Sequence, residues 1–133
     1  MTTIGIDPAY AKPIAFAFRA NKRWTVVNIS PKLPHKWLDL FESAKRMGVE
    51  QVVIEGGYVG KNIKTALGLA QIRGALWAVA TLAGLPASYV QPSIWQSQMG
   101  AQAWRAKLET GRDDLNDDEQ AAVCIAAWGD GQR

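Results

Sequence analysis

Two acidic residues each end an apolar strand-like run in this chain. Thr2-Thr3-Ile4-Gly5-Ile6 leads into Asp7, and Gln51-Val52-Val53-Ile54 leads into Glu55. A third acidic cluster, Asp113, Asp114, Asp117, Asp118 and Glu119, opens the last apolar segment. Carboxylate oxygens are the preferred ligands of Mg²⁺ and Mn²⁺. Two such ions about 3.5–4 Å apart clamp an in-line attack on a phosphodiester, one generating hydroxide and the other stabilising the leaving oxygen. Each acid also has a plainer reading. Asp7 could simply mark a turn, and Asp117, Asp118 and Glu119 suit the exposed N–H groups of a helix start. Asp7, after Gly-Ile and before a proline, is nonetheless harder to dismiss, and Glu55 ends an otherwise apolar strand, where a buried charge without a partner is costly. The three positions together are more specific than any one of them.

The charge distribution fits a polyanionic substrate. Of the 12 acids, seven are Asp7, Glu55 and the five of the late cluster, which leaves five against 15 Lys and Arg elsewhere. A basic body around an acidic centre suits nucleic acid together with a divalent metal. The 133 residues, 48% of them hydrophobic, suit one domain over 1–133 with its own core. Cys124 is the only cysteine, which excludes an internal disulfide and a multi-cysteine zinc site. It lies in an apolar run and is expected to be buried packing. No run approaches the roughly 18 apolar residues of a membrane span. No basic-then-apolar leader is read at the N-terminus. The expected setting is reducing and cytoplasmic, with no membrane partner.

These acids need elements to position them. Residues 3–7 read as a strand, 13–20 as a second with Ile14, Phe16 and Phe18 alternating, and 23–29 as a third after the turn signal Asn21-Lys22. That predicts a three-stranded antiparallel meander. Trp37, Leu38, Phe41 and Ala44 predict a helix over 35–47, which Gly48 stops. The continuous apolar run of 51–55 suggests a strand buried on both faces with parallel neighbours. A long Ala- and Leu-rich helix follows over 62–84, then a strand near 87–91 and short helices around 93–98 and 101–109. The last helix runs over 117–128, with Asn116 and Glu119 in capping-box spacing. The order predicts an α/β fold, a mixed sheet flanked by helices. Asp7 and Glu55 would meet if their strands are parallel neighbours, since sites in such folds collect at strand ends.

Several segments resemble the RuvC-type Holliday junction resolvases. Ile4-Gly5-Ile6-Asp7-Pro8 is similar to the family's opening strand, and Val53-Ile54-Glu55 to its second acidic strand. Lys61-Asn62, Ala66-Leu67, Leu69, Gln71 and Arg73-Gly74 resemble the helix that follows. Pro92-Ser93-x-Trp95 with Gly100, and Ala122-Val123-Cys124-Ile125-Ala126, resemble the strand exit and the final helix of short members, such as those encoded by phages. The resemblance implies an RNase H-like fold. It implies a Mg²⁺-dependent endonuclease, with Mn²⁺ able to substitute, that nicks opposed strands of four-way DNA junctions as a homodimer. Asp7 and Glu55 carry over as metal ligands and catalytic residues, and Asp118 and Asp117 are the candidates from the last helix. Tyr58 would stack on an unpaired base near the junction centre. Lys61 and Lys64 would meet phosphates, which position DNA without reading sequence. Arg73 is placed with them as a DNA-binding residue. Gly68 and Gly74 would let two copies of the long helix approach closely, which puts the dimer interface there.

The match departs from the family at three places. The family's last helix bears two ligands three residues apart; Asp118 fills the first position and Ala121 stands at the second. Asp117, Asp114 or Glu119 substitutes from nearby, the ligand set is reduced, or the chain is a catalytically impaired junction-binding protein, natural or engineered from Asp to Ala. Ala9 stands where glycine is common. The segment between Gly100 and Asp113 is short, so Arg105, Lys107 and Arg112 are expected to supply phosphate contacts there, with Trp104 assigned to the core ahead of a DNA-facing role. An RNase H acting on RNA–DNA hybrids is a further reading. It ranks lower, because RNase H proper carries its second acid on a helix. A sugar-kinase-like domain needs a longer chain. His35, the only histidine, receives no role.

Overall fold

The computed structural model describes residues 1–57 and 62–132. Five strands, β1 (Thr3–Asp7), β2 (Ile14–Ala20), β3 (Arg23–Ile29), β4 (Gln51–Glu55) and β5 (Ala87–Val90), form one sheet in the order β3-β2-β1-β4-β5. β1, β2 and β3 are antiparallel neighbours, while β4 pairs in parallel with both β1 and β5. The β2–β3 hairpin turns at Asn21 and Lys22, both with positive φ. That is the left-handed pair required by a two-residue turn matching strand twist. The meander and the doubly covered β4 therefore form as the apolar alternation requires.

Helices α1 (Pro34–Arg46) and α2 (Ile63–Leu82) cover one face of the sheet. Ile4, Ile6, Phe16, Val52 and Ile54 meet Trp37, Phe41, Leu76 and Ala80 there. The rings of Phe16 and Phe41 pack edge to face, 5.9 Å between centroids. α3 (Pro92–Met99), α4 (Gln102–Thr110) and α5 (Asp117–Asp130) cover the other face, where Ala15, Ala17 and Val53 meet Ala106, Trp95, Ala122, Val123 and Ile125. By length and composition α2 could cross a membrane, although Lys64, Gln71 and Arg73 interrupt its apolar run in the sequence. Leu76 and Ala80 are fully buried in the sheet-facing core, so α2 is an integral layer of this domain.

The position of α5 matters most for the site. Asn116 caps its N-terminus, with Glu119 closing the capping box. Its middle lies directly on β1: a Cβ at Gly5 would collide with the Ala122 carbonyl and the Ala126 nitrogen. Its far end is tied down where the Thr3 amide donates to Asp130 Oδ1 at 2.7 Å and Gln51 Nε2 donates to the Gly129 carbonyl at 3.2 Å. α5 thus runs antiparallel to β1. Two residues up the strand from Gly5 rise about 6.6 Å, and four residues back along α5 from Ala122 descend about 6 Å. The two paths arrive together at Asp7 and Asp118.

Candidate active site

The β1–β4 register pairs Ile6 with Ile54, so Asp7 and Glu55 follow side by side at the ends of adjacent strands. Strand alternation sends Ile4 and Ile6 towards α1 and α2. Gly5 and Asp7 therefore face α5, and on β4 so do Val53 and Glu55. Asp7, Glu55 and Asp118 line one cavity of about 440 Å³, whose walls include Tyr10, Lys12, Thr65, Leu69 and Arg73.

The electrostatics register the crowding. Burial, then the Glu55 charge, then a hydrogen bond with Asp118 push the Asp7 carboxyl up to about 8. Glu55 is also raised, chiefly by burial, with the Asp118 charge adding to it. The Trp95 indole and the Arg73 guanidinium work against that rise. Trp95 Nε1 donates to Glu55 Oε2 at 2.8 Å from a buried ring, and Arg73 Nε donates to the Glu55 carbonyl at 3.0 Å. Lys12 pairs with Asp118 Oδ2 at 2.8 Å.

Asp118, and not Asp117, enters the cavity. Asp117 is exposed at the first turn of α5, and its carbonyl accepts from Gln102 Nε2 at 2.8 Å. The proposed substitutes are engaged elsewhere: Asp114 pairs with Arg112, and Glu119 caps Asn116 and accepts from Asn28. Ala121 is buried with Val53, Val90, Trp95 and Ile125. Among the described residues, no group of three His, Cys, Asp or Glu side chains stands assembled as a metal-holding cluster. The donor chemistry nonetheless fits a hard divalent cation. Three carboxylates converge from three elements, and the raised Asp7 carboxyl lacks sufficient countercharge.

The expected DNA contacts fall in different surroundings. Tyr58 and Lys61 lie outside the described residues. Lys64 is exposed beside the cavity but does not line it, whereas Thr65, Leu69 and Arg73 on the next face of α2 do. Arg73 is committed to Glu55, and Arg105 pairs with Glu109 at 3.0 Å. Lys107 is exposed on α4 beside Arg112. Trp104 is 60% exposed, contrary to its core assignment. Ala106 takes the buried position on α4 and leaves Trp104 on the outer face. Gly68 packs against the ring of Tyr10 in the same chain, so its missing side chain makes room for an internal contact; Gly74 faces open space. Cys124 is buried, as expected. Sequence reasoning missed Lys12 and the Trp95–Glu55 bond. A lysine five residues after a strand-end acid was the available signal for the first. A Pro-led helix placing a tryptophan after β5 was the signal for the second.

The sheet order and the strand-end acids beneath α5 define an RNase H-like α/β domain. No protein-family model matches the chain. It is 27% identical over 146 residues to the crossover junction endodeoxyribonuclease RuvC of Brachyspira hyodysenteriae, covering 95% of this chain and 91% of that protein. The RuvC of Chlorobium phaeovibrioides is 28% identical over 88 residues, 62% of this chain and 47% of that relative. Among solved structures, T. thermophilus RuvC in complex with Holliday junction substrate superposes with a TM-score of 0.74 at 19% identity, covering 95% of this chain and 90% of that one. These likenesses bear out the resemblance to RuvC-type Holliday junction resolvases.

Proposed function

We propose that this chain is a divalent-metal-dependent endonuclease that nicks opposed strands of four-way DNA junctions as a homodimer, in the reducing cytoplasm of a bacterial or phage-infected cell. The convergence of Asp7, Glu55 and Asp118 in one cavity carries the reading, because repelling carboxylates are retained where a cation is to be held. The relatives named for crossover junction cleavage supply the substrate class.

Asp7, Glu55 and Asp118 would hold Mg²⁺ or Mn²⁺. When bound, such ions supply the attacking hydroxide and the stabilisation of the leaving oxygen. The chain's own residues prepare the site. Trp95 fixes the Glu55 rotamer through its indole N–H, and Arg73 braces the strand end from α2. Lys12 holds Asp118 while countering the local negative charge. Tyr10, set over Gly68 with its hydroxyl 3.4 Å from Thr65 Oγ1, forms part of the wall. Exposed Lys107 on α4 and exposed Lys64 on α2 offer positive charge to DNA arms.

The homodimer reading draws on α2. Ile63, Leu67, Ala70, Gly74, Trp77 and Thr81 recur at alternating steps of four and three and are all exposed. Such a seam suits a second helix of the same kind.

The test is a labelled four-way junction incubated with Mg²⁺ or Mn²⁺. Paired nicks on opposed strands, lost in Asp7→Asn, support the reading. Binding without nicking in either metal favours the junction-binding alternative, and regained cleavage in Ala121→Asp would then identify an impaired variant. Preferential cutting of an RNA–DNA hybrid would assign the site to another substrate.

A further inference from the structure

A second hollow adjoins the acid cavity. It measures about 500 Å³ and is lined by Tyr10, Lys12, Pro13, Ser30, Pro31 and Lys32. That volume lies within the roughly 300–1,000 Å³ typical of small-ligand sites. Tyr10, Ala11 and Lys12 line both hollows, so the β1–β2 connection is the ridge between them. Among the described residues no acid lines the second hollow, and Lys32 makes no ion pair.

Its far wall is held in place. The Ser30 carbonyl accepts from the buried Trp37 indole at 3.1 Å and from the Leu33 amide at 3.2 Å. Ser30 Oγ accepts from the Lys32 amide at 3.1 Å. Tyr10 is fixed on the near side over Gly68. Lys12 and Lys32 line this hollow together with proline and tyrosine, the Lys12 ammonium being ion-paired with Asp118 at 2.8 Å on the side of the carboxylates.

We infer that this hollow is a nucleotide subsite: it takes the nucleotide of the cleaved strand that flanks the scissile phosphate. Its phosphate lies against Lys32, and its sugar and base lie against Tyr10, Pro13 and Pro31. The inference rests on the nuclease reading above and extends it, by giving the strand a path away from the acids over the Tyr10–Lys12 ridge. A phosphate contact at Lys32 positions the strand and carries no sequence preference.

The experiment has two arms. In the first, junction binding is measured against salt for the wild type and Lys32→Gln. The variant is expected to lower the slope of log K against log salt by about 1, the loss of one phosphate contact. In the second, Ser30→Cys in the Asp7→Asn background carries a hydroxyl-radical-generating iron chelate, Cys124 being buried. Strand breaks are expected within one or two nucleotides of the wild-type nick. An unchanged slope, or breaks on a distant arm or spread evenly, overturns the subsite while leaving the nuclease reading intact. A wild-type protein that binds no junction overturns both.

Discussion

Lys12 and Asp118 form an ion pair at 2.8 Å beside the buried Asp7 carboxyl. The lysine comes from the β1–β2 connection and the aspartate from the first turn of α5, so the pair joins two elements far apart in sequence. With the lysine side chain 62% exposed, solvent screens the pair, and such pairs contribute about 0.2–1 kcal/mol. Lys12 competes with any incoming cation for Asp118. Lys12→Gln should therefore bind Mg²⁺ roughly 1.5- to 5-fold more tightly, the same energy range expressed as affinity. Isothermal titration with Mg²⁺ alone reads this directly. Weaker metal binding in the variant would show that Lys12 orders the ligand more than it competes for it.

Asp7 gives the metal-free protein a pH dependence of definite sign. Its carboxyl holds a proton up to about pH 8 in the folded chain, against an ordinary value of 3.8. Between those values the folded state binds more protons than the unfolded state, so stability falls as pH rises from about 4 to about 8 and is level above that. Melting curves in chelator from pH 5 to 8.5 should show the fall, and added Mg²⁺ should reverse it most at the alkaline end. Asp7→Asn should flatten the slope, raise the metal-free Tm and abolish cleavage while junction binding holds or tightens. A flat wild-type profile would count against the buried carboxyl.

The element order and the strand ends were legible because strand alternation, the Asn21-Lys22 turn and the Asn116–Glu119 capping box are local signals. The partnership of Asp7 and Glu55 followed from the parallel run of β4. The choice between Asp117 and Asp118 was not legible. Neighbours at a helix start differ only in the face they present, and that is set by where Gly5 seats α5. The exposure of Trp104 was hidden for a related reason, since on a two-turn helix a single buried alanine, Ala106, decides which side turns inward. The Lys12–Asp118 pair depends on a loop path that no periodicity encodes.

Trp95→Phe separates packing from polarity at Glu55. The ring is buried and its Nε1 donates to the Glu55 carboxylate at 2.8 Å. Phenylalanine keeps most of the apolar contact and removes the donor. A hydrogen bond to a charged group contributes about 1.5–3 kcal/mol, and the Glu55 carboxyl, already raised by burial, should rise further. The acidic limb of the cleavage pH profile should therefore move to higher pH, with a lower Tm. An unshifted limb would mean that the indole N–H does not hold the reacting carboxylate.

Gly5 and Gly74 make a matched pair of alanine substitutions. At Gly5 the added methyl meets backbone atoms of Ala122 and Ala126, which cannot rotate away, whereas at Gly74 it meets nothing within 4 Å. Gly5→Ala should destabilise by about 1–3 kcal/mol or more and lift Asp118 away from Asp7. Gly74→Ala, inside a helix, should stabilise the protomer by about 0.5–1 kcal/mol. Denaturant unfolding of both variants at low protein concentration checks the contrast. Tolerance of Gly5→Ala would mean that α5 is not seated on β1.

The exposed seam of α2 predicts the assembly. Leu67 is 61% exposed, one turn into a stripe from Ile63 to Thr81, while Leu76 and Ala80 on the opposite side of the same helix are buried in the core. A charge at Leu67 therefore disturbs the seam without reaching the core. Leu67→Glu should convert a dimer into a folded 14.5 kDa protomer by light scattering, with an unchanged far-ultraviolet spectrum. Each protomer keeps its own Asp7, Glu55 and Asp118, so residual nicking should persist, but cuts on opposed strands of one junction should lose their coordination. Each nick would then arise from an independent encounter. A variant that stays dimeric would move the interface off α2, and one that becomes monomeric while still cutting both strands in concert would separate pairing of cuts from pairing of chains.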